Sequence, residues 1–296
     1  MEMYSKKKSP IKKKILIIGG NGFLGNYLYD YLLKKKFIVF QINKSKIKKK
    51  NSFSCDISNV YELKDTIKSI DLDFDFVINL SGQNLKNKSY LKKIIVKGNK
   101  NLIKIFSKTR TKICYISTSL VYGNSLKLQS ENFKIKPVSE YGKFKLLGEK
   151  IYKEHCKNYL IIRLANIYDN FFKKKSLINN IFSSIKSNKR VKITNLNTIR
   201  NYMHVDDFCK LIYKSISLKQ KKTILNFGSE NISINEIVRI IERKAKSKIK
   251  INNYKFNTNI DPSIRLNTNK MINIFKYKPK IKLQNTLETH IKNNEI

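Results

Sequence analysis

The chain has 296 residues, of which 41% are hydrophobic, and its formal net charge is +41. This length suits one large α/β domain, or a domain with a smaller partner, and the hydrophobic content is enough for a substantial core. The charge by itself would favour a nucleic-acid binder, but the basic residues are spread from end to end and only seven of the 62 are Arg. Because base recognition favours Arg, we interpret the lysines as solvated surface and expect no nucleic-acid partner.

The cysteines and the N-terminus narrow the class of protein further. Cys55, Cys114, Cys156 and Cys209 lie far apart and form no Cys-x-x-Cys pair, so we expect neither a metal site nor a disulfide framework. Residues 1–14 form a basic tail without the apolar run of a signal peptide. No segment approaches the roughly 20 apolar residues that span a bilayer, so we expect a cytoplasmic protein without a membrane partner.

Short apolar runs, typical of buried parallel strands, alternate along the chain with segments of helical period. The runs cover residues 15–18, 37–42, 74–80, 112–117, 159–164 and 223–227. The helical segments cover residues 23–35, 60–70, 90–106, 141–155 and 176–187. This alternation predicts an α/β fold with a doubly wound parallel (Rossmann) sheet and a smaller C-terminal cap. We expect residues 15–168 to form the dinucleotide-binding domain and 169–296 mostly the cap, with 191–227 returning to the Rossmann sheet.

A glycine cluster follows the first apolar run and opens the first helical segment. Gly19, Gly20, Gly22 and Gly25 are four of the ten glycines of the chain, within seven residues. This is the context of the dinucleotide fingerprint, in which glycines let the pyrophosphate approach the backbone at a helix N-terminus. The spacing fits both the general Rossmann pattern and that of the short-chain dehydrogenases.

The residues after the second strand bear on the choice of cofactor. An acidic residue there would bind the ribose of NAD, but the strand ends in Asn43 and Lys44 without a carboxylate. Lys44 and Lys46 are placed to meet a 2′-phosphate, so the sequence leans slightly towards NADP. Asp56 precedes the next helical segment and is either an acid that contacts adenine or a neighbour of the helix cap.

A tyrosine–lysine pair follows the fourth long apolar run. Tyr141 and Lys145 lie one helical turn apart, behind a helix start at Ser139. The same spacing occurs at Tyr4 and at Tyr31 in this lysine-rich chain, so only position distinguishes the pair. A tyrosine that acts as a base near pH 7 needs its pKa lowered by about three units. One lysine contributes only part of this, so an oxidised nicotinamide and a dry cleft would share the effect.

The hydroxyl-bearing strand end before this pair completes the candidate site. Ser117, Thr118 and Ser119 end the apolar run 112–117, and the carboxyl ends of parallel strands are where a doubly wound sheet binds ligands. A hydroxyl at this point can hydrogen-bond a substrate alcohol or carbonyl.

Seven motifs in order resemble the extended short-chain dehydrogenase/reductases, in the branch of nucleotide-sugar epimerases and dehydratases. They are GGNGFLG, STSLVYG, YGKFK, RLANIY, RNYMHVDD, LNFGSENISINEIV and RLNTNK. The resemblance implies a substrate-binding cap for a nucleoside-diphosphate sugar, NAD or NADP as cofactor, and hydride transfer at a sugar carbon, C4 in our interpretation. It also implies a homodimer through residues 90–106 and 141–155 and a role in making surface-polysaccharide precursors.

The resemblance also implies a role for individual residues. Thr118 would orient the sugar hydroxyl, Tyr141 would exchange its proton, and Lys145 would hold the nicotinamide ribose and lower the pKa of the tyrosine. The cofactor-binding residues would be Gly19, Gly22, Phe23, Leu24, Gly25, Asp56, Ile57, Leu80 and Lys145. The substrate-binding residues would be Ser119, Asn166, Arg200 and Arg265.

Departures from the family pattern restrict the reaction. The 4,6-dehydratases carry an Asp-Glu pair where this chain has Ser119 and Leu120, so dehydration is disfavoured and a 4-keto reductase or a C4 epimerase remains. The missing carboxylate for NAD and the short cap favour the reductase slightly. Ile95 replaces the usual asparagine, and Asp169 with Asn170 replaces Gly-Pro after the tyrosine.

Other interpretations of these residues remain open. Apart from the resemblance, Arg163 and Arg200 are interpreted as surface or structural ion pairs, and His204 as a packing histidine. The alternative function is a non-catalytic dinucleotide-binding Rossmann protein, or a basic nucleic-acid partner. The intact set of Thr118, Tyr141 and Lys145 argues against it.

Overall fold

The structure is a computed structural model that describes residues 13–45, 48–70, 73–82, 87–172, 176–253 and 262–293. Lys46 and most of the tail expected over residues 1–14 lie outside these ranges. Within them the strands are β1 (Lys14–Ile18), β2 (Ile38–Asn43), β3 (Ser52–Ser54), β4 (Phe76–Asn79), β5 (Lys112–Thr118), β6 (Leu128–Gln129), β7 (Tyr159–Leu164), β8 (Asn166–Tyr168), β9 (Val191–Ile193), β10 (Ile199–His204), β11 (Thr223–Phe227), β12 (Glu230–Ser233), β13 (Ile251–Asn253) and β14 (Arg265–Leu266). The α-helices are α1 (Phe23–Lys34), α2 (Val60–Ile70), α3 (Lys88–Lys93), α4 (Asn99–Phe106), α5 (Glu140–His155), α6 (Leu177–Ser187), α7 (Val205–Ser215), α8 (Ile234–Ala245), α9 (Asn269–Phe275) and α10 (Leu283–Asn293).

A parallel sheet of seven strands organises the described part of the chain. Its order is β3–β2–β1–β4–β5–β7–β11, and each of the six predicted apolar runs supplies one of its strands. The order reverses between β1 and β4, which is where a doubly wound sheet opens a ligand crevice at the carboxyl ends of its strands. The expected α/β fold with a doubly wound sheet is confirmed.

Helices cover both faces of this sheet because alternate residues of each strand point to opposite sides. Ile15 and Ile17 of β1 pack in a core that includes α1, α7 and α9. Leu16 and Ile18 pack in a second core that includes α2, α4 and α5. Burial on both faces explains why the strands read as continuous apolar runs.

The single helix expected over residues 90–106 is composite. It consists of α3, a π-helical turn at Ile94–Gly98, and α4. A Cβ on Gly98 would lie 2.8 Å from Cδ1 of Ile57, so the chain passes Ile57 this closely only because residue 98 has no side chain. Such turns insert one extra residue into a helix and are frequent at functional sites. A purely periodic pattern does not reveal them.

The C-terminal half forms its own core, and here two expectations about segment boundaries need correction. Val191–Ile193 pairs with β13 and Ile199–His204 joins a small sheet with β8 and β12, so of residues 191–227 only β11 enters the Rossmann sheet. In β9, Val191 and Ile193 are buried in the core of the cap and Lys192 between them is exposed, as in a strand with one buried face. The expected Rossmann span of 15–168 is likewise too long, because Asn166–Tyr168 pairs with β10 of the cap.

The cysteines, the helices and the possible metal ligands of the described residues bear on the expectations about disulfides, membranes and metals. All four cysteines are buried free thiols. Among the helices of the described ranges, none is both long enough and apolar enough to cross a bilayer. The same residues contain no group of three His, Cys, Asp or Glu side chains arranged to hold a metal ion.

Candidate active site

The predicted phosphate loop lies between β1 and α1, at the edge where the strand order reverses. Gly19 has φ +80°, a left-handed conformation that glycine adopts without strain. A Cβ on Gly25 would lie 2.5 Å from the carbonyl oxygen of Gly20, so α1 can pack on the loop only without a side chain there. Gly22 and Phe23 begin α1 at this loop, and the N-terminus of a helix suits a phosphate. The loop therefore fits a dinucleotide pyrophosphate.

A cavity of about 190 Å³ adjoins this loop. Its lining includes three of the predicted cofactor residues, Gly19, Asp56 and Ile57. The other lining residues are Ile18, Ile42, Asn43, Lys44, Cys55, Ser81, Gly82, Tyr90 and Ile94. Of the other predicted cofactor residues, Gly22, Phe23, Leu24 and Gly25 lie in the loop and the first turn of α1, Leu80 comes directly after β4, and Lys145 is on α5. No local motif marks Tyr90 or Ser81, which the sequence analysis missed.

Asp56 both forms a turn and lines the cavity, so the two interpretations of this residue are compatible. Its Oδ1 accepts hydrogen bonds from the backbone N–H (2.9 Å) and the hydroxyl (2.6 Å) of Ser58. Burial acts to raise the pKa of Asp56, but the bonds from Ser58 and the nearby ammonium groups of Lys93 and Lys44 outweigh it, and the pKa is lowered. Asp56 is therefore a carboxylate at neutral pH.

Lys44 and Asn43 occupy the position where the sequence lacks an acid. The Nζ of Lys44 lies 3.8 Å from the ring centroid of Tyr90, a cation–π geometry. The side chain of Asn43 accepts a hydrogen bond from the N–H of Asn21 in the phosphate loop, at 2.6 Å. The side-chain amide of Asn43 thus ties the end of β2 to the phosphate loop. The ammonium of Lys44 lies over the ring of Tyr90 at the wall of the cavity.

The hydroxyls at the end of β5 divide into two groups. Ser117 turns inward and donates to Oε1 of Glu149 at 2.7 Å. Thr118 and Ser119 line a second cavity of about 170 Å³, together with Asn166 and Arg200. The rest of this lining is Leu120, Leu164, Ala165, Pro262 and Ile264. Four residues predicted for catalysis or substrate binding therefore meet in one place, although they come from three different segments of the chain.

Arg265 does not line this cavity. It is the first residue of β14, and its guanidinium donates to the carbonyl oxygen of Leu126 at 3.0 Å. Arg200 approaches the phenol of Tyr202, whose pKa burial raises and Arg200 partly lowers. Of the two predicted arginines, only Arg200 is positioned at the cavity.

Tyr141 and Lys145 lie on α5, which begins as predicted: the hydroxyl of Ser139 accepts from the N–H of Gly142 at 3.1 Å. A Cβ on Gly142 would lie 2.7 Å from the carbonyl oxygen of Leu120, so this glycine lets α5 pack directly against the segment that follows β5. The Nζ of Lys145 donates to the carbonyl oxygen of Ser81 at 3.3 Å. The helix that carries the pair therefore contacts the wall of the first cavity, through Lys145 at Ser81, and the wall of the second, through Gly142 at Leu120.

Burial is the main cause of the pKa shifts of Tyr141 and Lys145. Lys145 is 2% exposed, and burial lowers its pKa to about 7, against a smaller opposing effect of Glu149. Burial raises the pKa of Tyr141. In the protein alone, both groups therefore favour their neutral forms relative to the same groups in water.

Arg163 and His204 have the structural roles that the residues alone suggested. The guanidinium of Arg163 is 1% exposed and contacts Glu149 at 2.9 Å, in a buried ion pair that also reaches the hydroxyl of Tyr122. His204 is 2% exposed, with Nδ1 accepting from the N–H of Asp206 and Nε2 bonded to Asn170. Neither side chain lines the two cavities.

Comparison with known proteins decides the family. The profile of the NAD-dependent epimerase/dehydratase family matches residues 15–228, more than half of the chain. The chain belongs to this family. The resemblance of the seven motifs is confirmed, and this family member carries the phosphate loop and the tyrosine–lysine pair in the places described above.

Two curated relatives and one solved structure show how the family member compares. A Methanocaldococcus jannaschii protein provisionally named UDP-glucose 4-epimerase is 29% identical over 255 residues, 78% of this chain and 82% of that protein. GDP-6-deoxy-D-talose 4-dehydrogenase of Aggregatibacter actinomycetemcomitans is 26% identical over 242 residues, 77% and 79% of the two chains. UDP-glucuronic acid 4-epimerase of Bacillus cereus, solved with UDP-glucuronic acid and NAD, has a TM-score of 0.80 at 22% identity, covering 95% and 99%.

Proposed function

We propose that this protein is an NAD(P)-dependent oxidoreductase that transfers hydride at a sugar carbon, C4, of a nucleoside-diphosphate sugar. The observation that carries the proposal is the place of the tyrosine–lysine pair. Lys145 contacts Ser81 on the cofactor-side cavity, and the helix of Tyr141 packs against Leu120 on the cavity that contains Thr118 and Arg200. A binding module has no need of a half-buried tyrosine beside a buried lysine at this junction.

The phosphate loop and the first cavity would hold the dinucleotide. Gly19, Gly22 and Gly25 leave room for the pyrophosphate, and Phe23 and Leu24 lie in the first turn of α1, at the helix end that favours an anion. Asp56 and Ile57 line the cavity suited to the adenosine end, and Leu80 follows β4 at the strand reversal. NAD or NADP, when bound, supplies the hydride acceptor and donor for the sugar carbon.

Tyr141 would exchange the proton of the sugar hydroxyl, and Lys145 would make that exchange possible near neutral pH. Because burial raises the pKa of Tyr141 in the protein alone, a positive charge beside it is required before the phenol can act as a base. Lys145 is the cation one helical turn away, and it would also bind the nicotinamide ribose. Thr118, at the wall of the substrate-side cavity, would orient the hydroxyl that reacts.

The second cavity would hold the sugar nucleotide. Arg200 supplies a positive charge for the diphosphate, and Asn166 and Ser119 supply hydrogen-bonding groups beside it. Arg265 lies on β14 outside this lining, with its guanidinium on the carbonyl oxygen of Leu126, so its role toward the same anion stays a prediction.

The two reactions in view are 4-keto reduction and C4 epimerisation. The relatives include a protein named as a 4-epimerase and another named as a 4-dehydrogenase, so the names support both. Leu120 and Ser119 provide no acid beside the reacting sugar, which disfavours 4,6-dehydration. The missing carboxylate at the end of β2 keeps a slight preference for the reductase.

For the cofactor, we propose NAD. The family is described as NAD-dependent, and the similar Bacillus cereus epimerase binds NAD. The slight lean to NADP rested on the missing carboxylate at the end of β2 together with Lys44 and Lys46. Lys44 lies over the ring of Tyr90, Lys46 lies outside the described residues, and nothing in the comparisons supports NADP.

Analysis of the purified protein tests this proposal. Its bound cofactor would be identified by mass and absorbance, and turnover would be followed with a 4-keto nucleotide sugar plus NADH or NADPH and with UDP- and GDP-hexoses. Tightly retained NAD with interconversion of 4-epimers indicates the epimerase, and oxidation of added cofactor indicates the reductase. Dinucleotide binding without turnover of any nucleotide sugar would favour the non-catalytic alternative. The homodimer and the part in surface-polysaccharide precursor synthesis stay predictions, and light scattering of the protein in solution checks the first.

A further inference from the structure

Lys145 is held in place by an aromatic ring as well as by a carbonyl oxygen. Its Nζ lies 4.7 Å from the ring centroid of Tyr115, which is 1% exposed on β5. In the described part of the chain its hydrogen-bond acceptor is the Ser81 carbonyl oxygen. An ammonium has three N–H donors, and one carbonyl oxygen accepts from only one of them. Other neighbours must therefore provide most of the stabilisation of its charge.

The ring of Tyr115 is held by two residues of α5. It stacks on Tyr152 of α5, with ring centroids 4.9 Å apart and an angle of 24° between the planes. Gly148, one turn after Lys145, makes room for it, because a Cβ there would lie 2.2 Å from the Tyr115 hydroxyl oxygen. The glycine and the stacked ring together present a rigid π face to the ammonium.

The π face of Tyr115 is more important for the Lys145 ammonium because the nearby side chains offer it few polar partners. Ile95, which replaces the family's asparagine, is 1% exposed, and its side chain lies against Gly82 on the cofactor-side wall. It offers the Lys145 ammonium no hydrogen bond. Glu149 is one helical turn away, but its carboxylate is engaged by Arg163 and Ser117. A desolvated cation–π contact is stronger than an exposed one, and the Tyr115 ring, at 4.7 Å, is closer to the ammonium than the Tyr141 ring, at 6.0 Å, so it is the aromatic neighbour better placed to stabilise the charge.

We propose that Tyr115 is a positioning residue of the reaction, whose buried ring holds the Lys145 ammonium beside Ser81 and keeps it charged. This inference rests on the proposed function, because it concerns the lysine that assists Tyr141. The ring acts through Lys145 and touches neither substrate nor cofactor in this assignment. Its hydroxyl is not needed, since the π face of phenylalanine binds a cation as well.

The test is the titration of Lys145 in the cofactor-free full-length protein. Lysine labelled with ¹³C at Cε reports protonation by NMR, and the Lys145 signal is the one that Lys145→Arg removes. Tyr115→Leu should lower the titration midpoint by about one pH unit, while Tyr115→Phe should leave it within about 0.3 unit of the wild type. Phe106→Leu, a buried aromatic of the same core that packs on Phe74, is the control for core damage and should cause no shift.

Activity is measured on the same variants. The alkaline limb of kcat/KM should move to lower pH in Tyr115→Leu by the amount that the NMR midpoint moves, and it should stay in place in Tyr115→Phe. If Tyr115→Leu does not fold, phenylalanines with one to three ring fluorines at position 115 keep the shape and weaken the π face. The midpoint should then fall with each fluorine.

The outcomes separate the two proposals. A Lys145 midpoint unchanged in Tyr115→Leu or along the fluorine series, in an enzyme that turns over nucleotide sugars, overturns the positioning role alone. A shift in Tyr115→Phe as large as in Tyr115→Leu assigns the effect to the hydroxyl and overturns it too. A wild-type protein without turnover overturns the proposed function and, with it, this role in the reaction.

Discussion

The Nζ atom of Lys145 lies 6.0 Å from the ring centroid of Tyr141, one turn earlier on the same helix. Lys35 lies 5.7 Å from the ring of Tyr31 with the same spacing on α1, so the geometry of the pair is not special in itself. The difference is the surroundings: Lys145 is buried and contacts Ser81 at the cofactor-side cavity, whereas Tyr31 packs on Tyr213 behind the phosphate loop. Position, and not spacing, selects the candidate.

Removal of the Tyr141 hydroxyl should abolish proton exchange and leave binding intact. We expect Tyr141→Phe to lower kcat by a factor of about 10² to 10⁴, the usual contribution of a general acid–base group, with little change in the affinity for dinucleotide. Tyr31→Phe is the matched control and should retain wild-type kcat. Steady-state kinetics with the substrate found for the wild type, together with cofactor titration, checks both. Equal kcat in wild type and Tyr141→Phe would refute the assignment.

We expect the buried Lys145 side chain to lower the free energy of unfolding. Its pKa in the folded protein is lowered to about 7 from 10.5, so the cost of burying its charge is full below pH 7 and disappears as the pH rises towards 10.5. Lys145→Met should therefore be more stable than the wild type by about 1–4 kcal/mol at pH 6, and the gain should shrink at pH 9. The variant should also lose activity.

Urea denaturation of cofactor-free protein at the two pH values measures this gain. Lys143→Met, on the exposed side of the same helix, is the control and should change stability little at either pH. A Lys145→Met protein that is less stable than the wild type at pH 6 would contradict the expectation.

The buried ion pair of Glu149 on α5 and Arg163 on β7 should be essential to the packing of this helix on the sheet. Arg163→Met leaves a carboxylate without its partner in the core, and we expect it to lower the free energy of unfolding by about 3–5 kcal/mol. Lys88→Met breaks an exposed pair with Glu140 and should cost less than about 1 kcal/mol. Denaturant titration compares them, and similar losses in both variants would argue against a structural role for Arg163.

The parts of the site that could be predicted are those that a pattern within one short segment of sequence identifies. The phosphate loop is visible because Gly19 and Gly25 stand between an apolar run and a helical segment, and the start of α5 is visible in Ser139. The partners of Lys145 are not, since Ser81 follows β4 and Tyr115 is on β5, and only the parallel sheet brings these two strands together. The same holds for Arg163, whose surroundings differ from those of Arg200 although both are arginines in short apolar strands.

Segment boundaries in the cap failed for a related reason. Val191–Ile193 is apolar at alternate positions, a pattern that fits an edge strand of either sheet. Its actual partner, β13, is separated from it by about sixty residues of sequence, and no local feature of either segment identifies the other. Pairing between distant short strands is decided by tertiary packing, which the pattern of one segment does not contain.

His204 should make the protein sensitive to mild acid. Its Nδ1 accepts the N–H of Asp206 at 3.2 Å, so the proton of the neutral ring is on Nε2, which donates to Oδ1 of Asn170 at 3.1 Å. Burial lowers the pKa of His204 from 6.5, against opposing effects of the carboxylates of Asp206, Asp207 and Asp169. The unfolded chain therefore binds the proton more readily, and the stability from this residue is complete above pH 6.5 and is lost as the pH falls below it.

We expect the free energy of unfolding to decline between pH 6.5 and pH 5 and the decline to be shallower in His204→Gln, whose amide can still accept from the helix N-terminus. His290 contributes in the same direction, because burial lowers its pKa as well, so the double variant should show the shallowest slope. His155→Gln, at an exposed position at the end of α5, is the control and should follow the wild-type curve. Urea denaturation across this pH range measures the slopes. Parallel curves for wild type and His204→Gln would mean that protonation of His204 is not what weakens the fold, because a ring that remained neutral throughout the range would contribute no slope to lose.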